Sequence, residues 1–316
     1  MAGISSTKIH YRLGSHRSFE QACSLAIGSF DGVHLGHQAI VEQVVEYAKE
    51  RGLKARLLTF YPRPSEYFAA DKTLPSLMSW REKVSFLARL GLDDVICMPF
   101  NRQLSLLSPK DFVDQVLVQG LKAKYLTVGS DFRFGAGRGG DSKLLATLAS
   151  DFGYQLEIAA TKTFEGSRIS STSIREALLK GDMETAKQLL GRAYRLCGLV
   201  VRGKQLGRQL GAPTANVHLK RQRLCVNGVY SAIAWVDGQA YEAIANVGIR
   251  PAVDNLEKPL LEVHLLDYDR DLYGQRLEVD LLHKIRSEQN FESLAILQKQ
   301  ISEDIAEARR WHAQNK

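Results

Sequence analysis

The sequence predicts two domains of different class: a mainly parallel α/β sheet over residues 1–185 and an antiparallel β-barrel closed by a terminal helix over residues 186–316. Two observations carry that expectation. In the first part, short apolar runs alternate with stretches of helical periodicity, the order of a parallel sheet covered by helices on both faces. After Gly191, strand-like runs follow one another with only turn signals between them, the order of an antiparallel sheet.

The first run, Ser24–Ile27, is continuously apolar, as a buried strand is. Behind it, Gln38–Arg51 repeats apolar residues at Ile40, Val44, Tyr47 and Ala48 with helical period. Ala55–Phe60, Asp94–Met98, Tyr125–Val128 and Tyr154–Ala159 supply four more strands. The helices between them have chemically marked starts. Ser79 precedes Trp80–Leu90 with Glu82 at capping-box spacing, Ser108-Pro109 opens Lys110–Gln119 with proline at the first helical position, and Asp141 precedes Ser142–Phe152. The domains join near Met183–Arg192 without a long linker. Beyond it, Arg195–Val201, Val229–Val236, Tyr241–Val247, Leu260–Leu266 and Arg276–Leu282 read as barrel strands, with turns at Asp237-Gly238 and Tyr273-Gly274. Phe291 to about His312 reads as the closing helix.

Composition bounds the function. With 45% hydrophobic and 24% charged residues over 316 positions, the chain is an ordinary globular protein long enough for two cores. No run approaches the ~18 apolar residues of a membrane span, and Met1–Lys8 lacks the apolar core of a secretory signal, so a cytoplasmic enzyme is expected. Cys23, Cys97, Cys197 and Cys225 are scattered without a CxxC pair, against a disulfide framework or metal cage. The net charge of +7 is spread, with 23 Lys and Arg against 20 Asp and Glu in residues 1–185 and 19 against 15 in the rest. No basic stripe concentrates it, so nucleic acid is not an expected partner, and no obligate protein partner is evident. A mild positive balance suits substrates that carry several phosphates.

The chemistry begins at Gly28-Ser29-Phe30-Asp31-Gly32-Val33-His34-Leu35-Gly36-His37, between the first strand and its helix. Glycines at a helix mouth let backbone N–H groups and the helix dipole meet an anion. His34 and His37 lie one turn apart, so both rings can reach the same ligand and donate to phosphate oxygens whose charge grows during transfer. Gly28, Phe30, Asp31, Gly32, His34, Gly36 and His37 match the G-x-F-D-G-x-H-x-G-H signature of the nucleotidyltransferase superfamily. Seven fixed positions at ~5% usage each agree by chance about once in a billion starts. A zinc reading of the histidines is weaker, because no cysteine lies nearby. Thr59-Phe60-Tyr61-Pro62-Arg63-Pro64 and Val128-Gly129-Ser130-Asp131-Phe132-Arg133-Phe134-Gly135 end the second and fourth strands and would face the same cleft. In Arg168-Ile169-Ser170-Ser171-Thr172-Ser173-Ile174-Arg175, hydroxyls precede a helix with Arg175 on its first turn. Capping accounts for Ser171 and Ser173; a phosphate clamp accounts for them together with Arg175.

In the second part, Gly203 to Gly211 is too glycine-rich for a good strand and lacks the Walker order, yet can cover a nucleotide. Thr214 and Asn216 place neutral oxygens two residues apart in an extended segment, so both point the same way and can share one magnesium. These blocks, in this order, resemble the bacterial bifunctional riboflavin kinase/FMN adenylyltransferase family, and the resemblance covers essentially the whole chain. It rests further on Gly203-Lys204-Gln205-Leu206-Gly207-Arg208-Gln209-Leu210-Gly211-Ala212-Pro213-Thr214-Ala215-Asn216, on Asn246-Val247-Gly248-Ile249-Arg250-Pro251 and on Glu262-Val263-His264-Leu265-Leu266-Asp267.

The resemblance implies a Rossmann-like nucleotidyltransferase domain followed by a riboflavin kinase barrel, with riboflavin, FMN and ATP as substrates and Mg2+ as cofactor. It assigns Gly28, Phe30, Asp31, Gly32, His34, His37, Ser171, Thr172 and Arg175 to ATP in the adenylyltransferase. Ser29, Arg63, Asp131 and Arg133 go to FMN in that site. In the kinase it assigns Gly203, Gly207, Gly211, Pro213, Thr214 and Asn216 to ATP, with Thr214 and Asn216 on magnesium. Asn246, Arg250 and Arg286 go to the flavin, and Glu262 is the base that takes the proton of the riboflavin 5′-hydroxyl. The chain departs from the family's commoner residues at Ser29, Arg63, Ser130 and Ala252. Two alternatives stay open: a flavin- or nucleotide-binding regulator on the same fold, and a nucleotidyltransferase for another acceptor, against which the second domain speaks.

Overall fold

The structure is a computed structural model that describes residues 7–11, 19–69, 74–203, 212–250 and 258–315, without the side chains of Ile249, Arg250 and Lys258. Packing divides the chain into two compact units, Met1–Leu74 with Trp80–Ile169, and Pro75–Ser79 with Ser170–Lys316.

The first unit is a sheet of six parallel strands, β1 (Lys8–His10), β2 (Cys23–Ile27), β3 (Lys54–Tyr61), β4 (Asp94–Pro99), β5 (Ala123–Gly129) and β6 (Gln155–Ala159). Their order is β1-β4-β3-β2-β5-β6. All five residues of β2 are buried, which is why this strand has no polar alternation and sits at the centre. β3 flanks β2 on one side and β5 on the other, so the strand order reverses here and a crevice opens beyond the carboxyl ends. Helix α1 (Leu35–Arg51) follows at that edge, burying Val41, Val44 and Ala48 and ending at Gly52 with φ 64°. The three-residue β1 is too short for a periodicity signal and was not expected. It is pinned at the sheet edge by His10 Nε2 and Asp94 Oδ1, 2.8 Å apart.

Two helices differ from expectation. Trp80–Leu90 is an α-helix only over Trp80–Leu87 and tightens to a 3₁₀ turn over Ala88–Leu90, stopped by Gly91 at φ 83°. The segment opened by Ser108 and Pro109 is α-helical over Pro109–Asp111 and then a π-helix over Phe112–Gly120. The Leu121 N–H donates to the Val116 carbonyl at 3.0 Å, and the wider winding sets Phe112, Val113, Val116 and Leu117 into the core below β2 and β5.

The second unit is a closed antiparallel barrel of β7 (Tyr194–Val201), β8 (Ala215–His218), β9 (Gly228–Val236), β10 (Gln239–Arg250), β11 (Lys258–Leu265) and β12 (Arg276–Arg286). The order is β7-β8-β11-β10-β9-β12, with β12 closing on β7. Closure leaves no free sheet edge. β8, part of which was expected only as an extended segment, inserts between β7 and β11. The terminal helix spans Leu294–Gln314, capped by Ser293, and packs Ala308 and Ile305 on Val229, Ile244 and Ile285.

Two helices before the barrel, Ser171–Lys180 and Met183–Leu190, pack with it, burying Ile174, Ala177, Leu178, Met183, Ala186, Leu189 and Leu190. The packing boundary therefore falls at 169/170 rather than at 185/186, because these apolar faces are complemented by the barrel unit. Pro75–Ser79 joins the same unit. The Pro75 carbonyl accepts from Arg175 Nε at 2.8 Å, and the Leu77 carbonyl accepts from Arg221 Nη1 at 3.1 Å.

Candidate active sites

The turn from β2 to α1 is strained and buried. Phe30 and Val33 adopt φ 46° and 39° without being glycine, and Gly32 sits at 85°. Such backbone costs about 1–2 kcal/mol per non-glycine residue and persists where the surroundings over-determine it. Phe30, Asp31, Val33 and His34 are all buried. A Cβ on Gly28 would come within 3.2 Å of the Phe30 ring, and one on Gly36 within 3.2 Å of the His34 ring. These two glycines are thus spacers for ring packing.

His34 is the N-cap of α1, its Nδ1 accepting from the His37 N–H at 3.3 Å. The neutral ring therefore carries its proton on Nε2 and is a donor there. The His34 and His37 rings stack with centroids 3.6 Å apart and planes 18° off parallel. His37 is held well below the ordinary histidine range, first by burial and then by His34, Lys83 and Arg168. Its Nδ1 is buried without a hydrogen-bond partner among the described residues. The pair is a stacked imidazole platform at a helix mouth.

Arg63 lies beneath the turn, not on its surface. Its Nη1 donates to Asp31 Oδ2 at 2.7 Å, and its Nη2 to Glu66 Oε1 at 2.7 Å and to the Leu74 carbonyl at 3.1 Å. Asp131 is exposed and paired with Arg168 at 2.8 Å. Burial works to raise the Asp131 carboxyl, but the hydrogen bond and charge of Arg168 outweigh it and hold the group below its usual range. Arg133 is exposed and donates to the Phe132 carbonyl. Ser29 is exposed, with its carbonyl turned inward onto Thr59 and Lys83. Sequence reasoning missed Lys83 and a cluster of aromatic rings at the ends of β3 and β4. In that cluster Tyr67 and Phe68 meet Phe100 at 5.3 and 5.7 Å, beside exposed Tyr61.

Ser171, Thr172 and Arg175 lie on the Ser171–Lys180 helix of the second unit. Its N-cap is Ser170, which exchanges capping-box bonds with Ser173, so Ser171 does not cap the helix. Arg175 is the fifth helical residue, one turn later than expected, and is buried.

The barrel brings the second set together by register. Asn216 on β8 is the direct partner of Glu262 on β11, and Glu262 is the direct partner of Asn246 on β10. Their chain neighbours Val217, Leu261, Val263, Ala245 and Val247 are buried. By strand alternation the polar row faces the other side of the barrel wall. Asn216 is nonetheless buried, because the backbone at Gly203 lies against its carboxamide, where a Cβ would collide. His264 Nδ1, which sequence reasoning did not single out, meets the Pro213 carbonyl at 2.8 Å and ties the Pro213-Thr214 segment to β11. Glu288 is a further carboxylate here, over Gly248 and bonded to Asn227 Nδ2 at 3.2 Å.

Arg286 is held by Asp304 of the terminal helix through Nε and Nη2 at 2.9 and 2.8 Å. Gly207, Gly211 and Ala252, and the Arg250 side chain, lie outside the described residues. Among the described residues no helix is long and apolar enough to cross a membrane.

Comparison with known proteins identifies the family of both halves of the chain. A family model described as FAD synthetase matches residues 16–173, and one described as riboflavin kinase matches residues 190–312. The bifunctional riboflavin kinase/FMN adenylyltransferase of Pseudomonas fluorescens is 43% identical over 93% of this chain and 94% of its own length. That of Escherichia coli strain K12 is 43% identical over 92% and 93%. A crystal structure described as a macrolide-efflux protein from Streptococcus pneumoniae shares the fold, with a TM-score of 0.81 and 28% identity over 96% of this chain and 99% of that one. With both family models matched in tandem and relatives aligned over nearly the full length, the chain belongs to the bifunctional riboflavin kinase/FMN adenylyltransferase family.

Proposed function

We propose that this chain phosphorylates riboflavin to FMN at the barrel site, residues 186–316, and adenylylates FMN to FAD at the helix-mouth site, residues 1–185, using ATP in both steps. The observation that carries the reading is the in-register row Asn216–Glu262–Asn246 beside Gly203, in a chain that also holds the stacked histidines.

In the first reaction Glu262 accepts the proton of the riboflavin 5′-hydroxyl as its oxygen attacks the γ-phosphorus, and ADP leaves. Thr214 and Asn216 would hold Mg2+. Neutral oxygens suit this ion where phosphates complete the shell, and the carboxamide of Asn216 is buried and confined by Gly203. Bound there, the ion would offset the charge of the triphosphate. Asn246 lies on the far side of Glu262 from Asn216, which suits a polar contact to the flavin.

In the second reaction an FMN phosphate oxygen attacks the α-phosphorus of ATP and pyrophosphate leaves. The Nε2–H of His34 donates to the α-phosphate, and His37, kept neutral, supports the stacked ring without adding charge. Ser171, Thr172 and Arg175 serve the triphosphate tail. Buried free Cys23, Cys97 and Cys225 suit a reducing compartment, and we place the enzyme in the cytoplasm. Chromatography of products from riboflavin, ATP and Mg2+ tests the whole reading: FMN and FAD appear in sequence, and absence of either removes the corresponding assignment.

A further inference from the structure

Lys83 sits in the helix Trp80–Leu87, on the face that packs against the interior, and only 5% of its surface is exposed. Burying an ammonium costs several kcal/mol, so lysine is rarely fully buried unless it is paired. Its Nζ donates to the Ser29 carbonyl at 2.6 Å, and Thr59 Oγ1 donates to the same oxygen at 3.3 Å. Burial pushes the Lys83 ammonium down and the Asp31 carboxylate partly restores it. Two buried cations, Arg63 and Lys83, thus stand under the glycine turn with Asp31.

A trans peptide fixes its C=O and N–H antiparallel. Drawing the Ser29 carbonyl inward therefore turns the Phe30 N–H outward, away from Lys83 and Thr59. Phe30 is the residue at φ 46°, in a region that a side chain resists. Without a strong acceptor bond on the preceding carbonyl, that strain would relax by rotation of this peptide. An ion–dipole bond is stronger than a neutral one and suits the task.

We infer that Lys83 is a positioning residue for adenylyl transfer: its ammonium holds the Ser29–Phe30 peptide so that the Phe30 N–H faces the phosphates of the bound substrates. The inference rests on the reading of the Gly28–His37 turn as the phosphate site. Lys83 touches no substrate; it acts through the peptide, and its charge adds a fixed positive field from behind.

The test uses the full-length chain: retained KM for ATP and FMN reports that the first unit is folded, and kinase turnover reports on the second. Lys83→Met keeps the stem and removes the charge and donors; Lys83→Arg keeps both. FAD formation from FMN at saturating substrate is expected to fall about 10- to 100-fold in Lys83→Met, with KM for ATP and FMN within about threefold. Kinase turnover is unchanged, and Lys83→Arg recovers most of the loss. Wild-type FAD turnover in Lys83→Met overturns the inference. So does a parallel fall of kinase turnover, which marks a purely structural lysine, or an arginine variant no better than methionine. His34→Ala separates the layers: if it too leaves FAD formation intact, the turn is not the site and both readings fall. If it abolishes FAD formation while Lys83→Met does not, only the role of Lys83 is lost.

Discussion

Asn216 and Glu262 are direct partners on neighbouring barrel strands, an amide beside a carboxylate on one face. Replacing Glu262 by Gln keeps the shape and removes the base. Kinase turnover is expected to drop about 10²–10⁴-fold, while FMN supplied directly is still converted to FAD at the normal rate. Separate assays of the two half-reactions check this.

Gly203→Ala tests the confinement of Asn216. The added methyl collides with the carboxamide and displaces it. A displacement of this kind costs on the order of ten- to a hundredfold in kinase rate, with FAD formation from FMN unaffected.

His37 sets a pH dependence of stability. Its folded pKa lies below its unfolded value near 6.5, because burial disfavours the charged ring. Below that unfolded value the unfolded chain binds a proton that the folded chain does not, so stability falls as pH drops from about 6.5 toward the folded pKa; above it the term vanishes. Melting temperatures of wild type and His37→Gln, measured from pH 8 to pH 5, should diverge from one another only on the acid side. Parallel curves would contradict the assignment.

Half-buried Arg286 and buried Asp304 form a bidentate pair between β12 and the terminal helix. Arg286→Ala leaves the Asp304 charge buried without that guanidinium, and urea denaturation should show a loss of about 3 kcal/mol. A change in riboflavin KM without that loss would instead assign the guanidinium to the flavin.

Much of the fold was legible because its signals are local. β2 is a closed apolar run, Asp141 caps its helix through the Leu144 N–H, and Asp237-Gly238 turns β9 into β10. The signature residues His34, Asn216 and Glu262 were legible as types, but their arrangement was not. Nothing in G-x-F-D-G-x-H-x-G-H says that the imidazoles stack, since that depends on Gly36 leaving room for the His34 ring. Arg63 invited a surface role, and only its separation of 32 residues from Asp31 in sequence, closed in space, shows it buried. Lys83 and His264 stayed hidden for the same reason: their partners Ser29 and Pro213 lie 54 and 51 residues away. The π-helix was missed because its apolar spacing also satisfies an α-helix over so short a stretch.

Pro75–Ser79 gives the barrel unit a sequence discontinuity with practical weight. Arg221 reaches back 144 residues to the Leu77 carbonyl, and Arg175 reaches back 100 to that of Pro75. No single scission of the polypeptide can excise the second packing unit intact: a piece starting at Ser170 deprives both guanidiniums of those carbonyl acceptors. Ribosomal synthesis also delivers these five residues well before Arg175 and Arg221, so their carbonyls meet those guanidiniums only after later parts of the chain have emerged.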